Sequence, residues 1–305
     1  MPQRQYKHKT SLNRKKNPDN GMLSPSTVGQ LRCLFEHKHW KIVCDNEVSC
    51  YMRFIRTLAK LKQEEQEFIL ELTSRFEHIP SGMYVSELVE PLEKLRKKKP
   101  KDILYFIGCL EEEDILEYEL KSCAQVLYQI KGTTMQQNIN LKPYLVRNSI
   151  AHLTNEHIDT INKNRATLVL VDDYIGTGDT ACSALSGVSH YHPELKKWDR
   201  VCFLAIAAQE EGKRRLENAG YEVYVARTMN RGISDNYHGK ELEESRALMK
   251  QIEYGLRRQI QRKFRFGYKH SEALVCMERC PNNTFPIYWL PKNDAPYERT
   301  GEMRK

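Results

Sequence analysis

The chain predicts an α/β fold, a doubly wound and mainly parallel sheet with an all-helical lobe in front of it, and three observations carry that expectation. From Lys101 onward, strand-length apolar runs alternate with helix-length amphipathic segments. One run, Leu168-Val169-Leu170-Val171, is apolar on both alternating faces, as in a parallel strand covered by helices on either side. It leads directly into two acids and a glycine-bearing turn that opens a helix.

The front of the chain shows only the helical period. Ser24 or Ser26 can cap a first helix carrying Val28, Leu31, Leu34 and Phe35, and Asp45 a second carrying Val48, Tyr51, Met52, Ile55, Leu58 and Ala59. Phe68, Ile69, Leu72 and Phe76 mark a third that stops near Pro80, and Val85, Leu88, Val89, Leu92 and Leu95 a fourth containing Pro91. The basic run Lys94–Lys101 reads as a solvated helix end, since cations favour a helix C-terminus. In the alternating part, strands are expected over Ile103–Ile107, Gln125–Ile130, Leu168–Val171, Val201–Ala207 and Glu222–Val225. Helices fit over Glu112–Leu120, Asn155–Ile161, Asp179–Val188, Glu210–Ala219, where Gly220 is a C′ residue, and Leu242–Arg262. The expected organisation is a basic tail over 1–23, a helical lobe over 24–100, an α/β core over 101–263, a closing segment over 264–291 and a polar tail over 292–305.

The chemistry concentrates in Asp172-Asp173-Tyr174-Ile175-Gly176-Thr177-Gly178-Asp179-Thr180. Gly176 and Gly178 let the backbone turn tightly and approach a ligand. The amides of Gly176, Thr177, Gly178, Asp179 and Thr180, at the start of a helix, suit a phosphate. Asp172 and Asp173 suit ribose hydroxyls, directly or through a hydrated Mg²⁺.

This run resembles the 5-phosphoribosyl-1-pyrophosphate (PRPP) signature of type I phosphoribosyltransferases. A second stretch, Phe266-Gly267-Tyr268 through Ala273–Met277 to Pro281-Asn282-Asn283-Thr284-Phe285-Pro286-Ile287-Tyr288-Trp289, makes the chain similar to the PRTase-CE family. That family comprises phosphoribosyltransferase-like proteins of bacterial conflict systems, including effectors beside retron reverse transcriptases. The resemblance implies a type I phosphoribosyltransferase-like sheet, PRPP or a nucleotide as substrate, and catalytic and Mg²⁺-binding roles for Asp172 and Asp173. It also implies that 264–291 is a hood in which Asn282, Asn283 and Trp289 bind the base. The bland reading of that segment is a turn with core aromatics. An anti-phage effector acting on an N-glycosidic bond is the implied function; the alternative is a non-catalytic nucleotide sensor or ribonucleoprotein-binding scaffold.

The chain departs from the usual enzymes at three places. Gly176 stands where purine salvage transferases carry an aspartate thought to act as general base. Asp179 stands in the phosphate turn, where a carboxylate aimed at a phosphate about 5 Å away would cost on the order of 3 kcal/mol at an effective dielectric of 20, so it should point away. The loop after the first strand, Gly108-Cys109-Leu110-Glu111-Glu112-Glu113-Asp114, is acidic where a pyrophosphate is normally cradled; either Mg²⁺ bridges the charges or the ligand is not PRPP. Ile130-Lys131-Gly132-Thr133 is a second candidate for the pyrophosphate loop.

Other constellations carry less. Cys276 and Cys280, or His37, His39, Cys44 and Cys50, match no zinc spacing, and Ser149 and His152 lack an acid partner and an elbow motif. Arg231-Gly232-Ile233-Ser234-Asp235, with Arg227 before it, reads as a lid.

Global composition sets the context. The 305 residues suffice for a full core. Nine irregularly spaced cysteines argue against a disulfide framework, and no apolar stretch reaches membrane length, so the expectation is a soluble cytoplasmic protein. Of the net charge of +8, the tail Met1–Asn20 supplies +5, six Lys and Arg against Asp19. Such a tail is either a solubilising terminus or an arm for nucleic acid, and the family resemblance suggests a reverse transcriptase with its RNA–DNA ribonucleoprotein as partner.

Overall fold

The computed structural model describes residues 23–111, 121–256, 260–290, 294–297 and 299. The basic tail Met1–Asn20, the acidic residues Glu112, Glu113 and Asp114, the helix expected over Glu112–Leu120 and most of the polar tail lie outside the described residues.

Ser24 accepts the Thr27 amide and starts α1 (Pro25–His37). The next helix, α2 (Cys50–Ala59), is capped by Ser49 rather than by Asp45. The Ser49 hydroxyl both accepts the Met52 amide at 3.2 Å and donates to the Val43 carbonyl at 2.7 Å, which leaves Val48 outside the helix and 66% exposed. After α3 (Gln63–Ser74) come a short strand β1 (Glu77–His78) and α4 (Tyr84–Lys98), which holds Pro91 in its interior. The basic end of α4 is a structural corner: Lys98 pairs with Glu222 at 2.6 Å, and Arg96 donates to the carbonyls of Lys99 and Asp102.

The α/β part runs β2 (Ile103–Gly108), α5 (Ser122–Lys131), α6 (Thr133–Asn138), β3 (Tyr144–Arg147), α7 (Asn155–Asn162), β4 (Ala166–Ile175), α8 (Asp179–Tyr191), β5 (Val201–Gln209), α9 (Glu210–Asn218), β6 (Glu222–Met229) and α10 (Gly239–Gly255). The strand expected over Gln125–Ile130 is instead part of α5. Its buried residues Cys123, Val126, Leu127 and Ile130 recur at helical spacing and pack one helix face on the sheet. Ile130-Lys131-Gly132-Thr133 is therefore the joint between α5 and α6, not a loop after a strand. The strand that takes the expected place is β3, a short edge strand whose first three residues are only half-buried.

Five strands form one parallel sheet in the order β3-β2-β4-β5-β6. The strand period divides it between two cores. Leu104, Phe106, Val169, Val171, Cys202 and Leu204 face α4 and α5, while Ile107, Leu168, Leu170, Phe203 and Ala205 face α7 and α8. Helix α4 thus covers the sheet, although its sequence pattern groups it with the front helices. A third core joins α1–α3 and α10 to the C-terminal segment, where Trp289, Tyr288 and Phe285 are fully buried. The pairing of β1 with β7 (Val275–Cys276) ties that segment back to the front of the chain.

Candidate functional site

The strand order reverses between β2 and β4, and a ligand is expected beyond the carboxyl ends of strands at such a point. Register explains what is presented there. The last β2 residue, Gly108, pairs with Val171, but β4 continues along β5 until Ile175 pairs with Ala208. Asp172 and Asp173 lie on this protruding end, within β4 and just beyond the apolar run Leu168–Val171. Asp173 is buried and Asp172 half-buried.

Hydroxyl groups hold both acids. Ser122, the first residue of α5, donates to Asp172 Oδ1 at 2.9 Å, and the Asp173 amide donates to the same oxygen at 2.8 Å. The hydroxyl of fully buried Tyr84 donates to Asp173 Oδ2 at 3.3 Å and accepts the Glu278 amide at 3.2 Å. Burial raises the Asp172 carboxyl well above the usual range, and the neighbouring Asp173 charge raises it further. Burial also raises Asp173, against hydrogen bonds that include Tyr84. The groups described at the pair are hydroxyls and an amide. Such a pair suits a divalent cation, since Mg²⁺ needs only one or two protein carboxylates beside water and substrate oxygens. Among the described residues no cluster of three or more His, Cys, Asp or Glu side chains surrounds a metal position, so a cation here would take its other ligands from water and substrate.

The turn that follows is built on close backbone approach. Gly178 has φ +80°, the left-handed region, and serves as N-cap of α8. A Cβ on Gly212 of α9 would lie 2.0 Å from the Gly176 carbonyl oxygen and 3.1 Å from the Gly178 nitrogen, so α9 seats the turn directly. A Cβ on Gly176 would lie 2.4 Å from Asn283 Oδ1. The position where a general base is expected in purine enzymes is thus filled by a carboxamide from the C-terminal segment. Asn283 is itself buried and donates from Nδ2 to Ser271 Oγ at 3.3 Å.

Asp179 begins α8, and cations from two elements engage it. Arg215 of α9 pairs with Oδ1 at 2.7 Å and Lys269 of the C-terminal segment with Oδ2 at 2.6 Å. Burial would raise this carboxyl, but Lys269, Arg215 and Thr177 pull it down to about 2. Thr180 donates to Glu111 Oε1 at 3.1 Å, which brings the start of the acidic loop onto the glycine turn.

The structure gathers Asp172, Asp173, Gly176, Thr177, Gly178, Asp179, Thr180 and Asn283 at one strand end. Asn282 enters through its backbone, accepting the Tyr268 amide at 2.9 Å. Trp289 has no exposed surface; its indole donates to the Thr284 carbonyl at 2.6 Å and its ring meets Phe264 edge-on, so it is packed in the third core. The segment 231–235 is pinned: Arg231 pairs with Asp235 at 3.0 Å, and buried Glu272 accepts the amides of Ile233 and Ser234. Arg227 holds Glu87 and Glu77 at 2.7 and 2.9 Å. Ser149 caps its own turn by accepting the Ala151 amide, and all nine cysteines are free. Tyr84, Ser122, Gly212, Arg215 and Lys269 were not legible as site residues, because each reaches the site from an element distant in sequence.

The PRTase-CE family profile matches residues 53–299. No curated protein matches the chain significantly. Among solved structures, the Helicobacter pylori xanthine-guanine-hypoxanthine phosphoribosyltransferase is similar at 12% identity, covering 50% of this chain and 84% of its own, with a TM-score of 0.28. The AQ2163 protein from Aquifex aeolicus is similar at 14% identity, covering 69% and 88%, with a TM-score of 0.27. No helix among the described residues is long and apolar enough to cross a membrane.

Proposed function

Because the chain belongs to the PRTase-CE family of phosphoribosyltransferase-like proteins, we propose that its strand-end site binds a ribose 5-phosphate moiety, as PRPP or a nucleotide, and makes or breaks the N-glycosidic bond at C1. The observation that carries this reading is the carboxyl pair Asp172 and Asp173, raised by burial and placed directly before a glycine turn and the N-terminus of α8. The amides of Gly176 to Thr180 would take the 5-phosphate, and the acids the ribose hydroxyls. Mg²⁺, held by the same two acids, would supply charge neutralisation at the departing anion. As the C1 bond breaks, its electron pair leaves with pyrophosphate or base, and the ribose becomes oxocarbenium-like; nearby carboxylates stabilise that positive charge. A base nitrogen or water then adds to C1 and gives up its proton to solvent or to the departing anion.

One observation favours a second reading, a nucleotide sensor or scaffold without turnover. At the general-base position of purine enzymes the site presents the Asn283 carboxamide, packed on Gly176, which cannot take up a proton as a carboxylate would. The family resemblance adds the biological proposal: an anti-phage effector whose basic tail engages the RNA–DNA ribonucleoprotein of a reverse transcriptase. The deciding experiment is a metabolite profile of cells expressing wild-type or Asp172→Asn protein. A nucleotide that disappears or forms only with the wild type supports the enzyme; identical profiles support the sensor. For the tail, six phosphate contacts would give a log-affinity against log-salt slope of magnitude about 4–5, and deletion of residues 1–20 should flatten it.

A further inference from the structure

The phosphate turn carries an anion of its own. Asp179 is half-buried at the first position of α8, and its two oxygens are bridged by Lys269 and Arg215. The two cations come from different elements. Arg215 stands on α9, which is seated on the turn through Gly212 and also donates to the Thr177 carbonyl at 3.1 Å. Lys269 stands on the C-terminal segment, where Phe266, Gly267, Lys269, His270 and Glu272 all have φ between +50° and +78°. Non-glycine residues hold such conformations only where the surroundings over-determine them. The segment is fixed on both sides of Lys269. The Phe266 amide donates to buried Glu253 at 2.8 Å, the Gly232 amide to the Glu272 carbonyl at 2.7 Å, and Asn283 closes on Gly176. Yet the Lys269 and Arg215 side chains remain 55% and 47% exposed. The backbone that delivers the ammonium is held firmly while the ammonium itself stays accessible to a ligand.

We infer that Lys269 and Arg215 are ligands of the substrate phosphate, held in place by Asp179 until a phosphate monoester takes them over. The inference rests on the ribose-phosphate reading of the same turn and deepens it by naming the groups that recognise the phosphate. A carboxylate offers the two cations and the helix N-terminus one negative charge, whereas a phosphate monoester offers up to two and more acceptor oxygens. Asp179 therefore competes with the ligand. It also accounts for a carboxylate in a phosphate turn: with no ligand bound it keeps two like charges close together, and with ligand bound it turns outward.

A structural clamp and a competitor make opposite predictions. If the Asp179 pairs only hold the segment to the turn, Asp179→Asn and Lys269→Met break the same contact and weaken ligand binding alike. If Asp179 competes, Lys269→Met weakens binding of ribose 5-phosphate about three- to tenfold, the range for a partly exposed charged contact, while Asp179→Asn strengthens it by a similar factor. Calorimetric titration of ribose 5-phosphate, ribose and inorganic phosphate into the full-length wild type and both variants, at fixed Mg²⁺, reads this directly. Thermal midpoints of the unliganded variants check that each is folded, and Lys269→Arg should restore most of the affinity lost in Lys269→Met. Opposite shifts for the two variants, confined to the phosphorylated probes, support the inference. Shifts in the same direction, or equal shifts for ribose, overturn it while leaving the ribose-phosphate site standing. A wild type that binds ribose 5-phosphate no better than ribose overturns the site reading and the inference together.

Discussion

The end of β4 and the start of α8 are one short turn apart, and their carboxylates are in opposite electrostatic states. Asp172 and Asp173 are held by hydroxyls and an amide, and burial drives them toward protonation. Asp179 is held by an ammonium and a guanidinium and stays ionised down to about pH 2. Three acids in one motif thus do two kinds of work. The strand-end pair is raised by burial and costs stability, the usual state of a site awaiting a cationic or hydroxylic ligand. The helix-start acid is compensated and contributes to stability.

The turn both regions share should be the most sensitive place to disturb the comparison. Gly176→Val would drive a side chain into the Asn283 carboxamide, and an overpacked buried contact of this kind costs about 2–3 kcal/mol. A denaturant titration would show the loss, and adding Asn283→Ala in the same background should recover most of it by opening the space. Gly178→Val should cost about 1–2 kcal/mol, because a β-branched residue is forced to φ +80°, and it should also weaken phosphate binding.

Titration separates the two regions by sign. The pair Asp172 and Asp173 has folded pKa values raised above the unfolded value of about 3.9, so its favourable contribution is complete below that pH and is lost as pH rises through the raised values. Asp179 has its folded pKa lowered from 3.8 to about 2, so its contribution is present above pH 4 and is lost as pH falls toward 2. Asp179→Asn should therefore cost about 1 kcal/mol at neutral pH, allowing for half-exposed partners, and nothing near pH 2. The double variant Asp172→Asn, Asp173→Asn should melt higher than the unliganded wild type at pH 7, by about 2–4 °C for each 1 kcal/mol relieved, with the gain vanishing near pH 4. Thermal melts across pH 2–8 check both. Tyr84→Phe tests the hydroxyl that joins the pair to the C-terminal segment. Loss of one buried hydroxyl that donates to Asp173 and accepts the Glu278 amide should cost about 1–2 kcal/mol and raise the Asp173 pKa further.

The two regions also differ in how far their sequence could be read. Leu168–Val171 with Asp172, Asp173 and the glycine turn announces strand, turn and helix because local chain conformation alone determines them. The continuous apolar runs along β2, β4 and β5 place the sheet for the same reason. What was not legible depends on packing between distant segments. Helix α5 carries a strand-like signal because Val126, Leu127 and Ile130 fall in a short apolar run that fits either period. Asp45 looked like the cap of α2, but the Ser49 hydroxyl satisfies a donor and an acceptor at once. The family resemblance assigns Trp289 to the base together with Asn282 and Asn283. Its indole finds the Thr284 carbonyl inside a core that the front helices and C-terminal segment build jointly. Partners such as Lys269 and Tyr84 have no local signature, since each lies roughly 90 residues in sequence from the acid it serves.

The central claim is that the carboxyl pair on β4, raised by burial, holds the ribose side of a phosphorylated ligand. The most direct measurement is the affinity of PRPP and of ribose 5-phosphate, with and without Mg²⁺, for the wild type and for the Asp172→Asn, Asp173→Asn variant shown by its melting curve to be folded. The account predicts Mg²⁺-assisted binding to the wild type and a loss of at least about 100-fold in the variant, the scale of two charged contacts. Equal affinity of the two proteins at matched Mg²⁺ would contradict it.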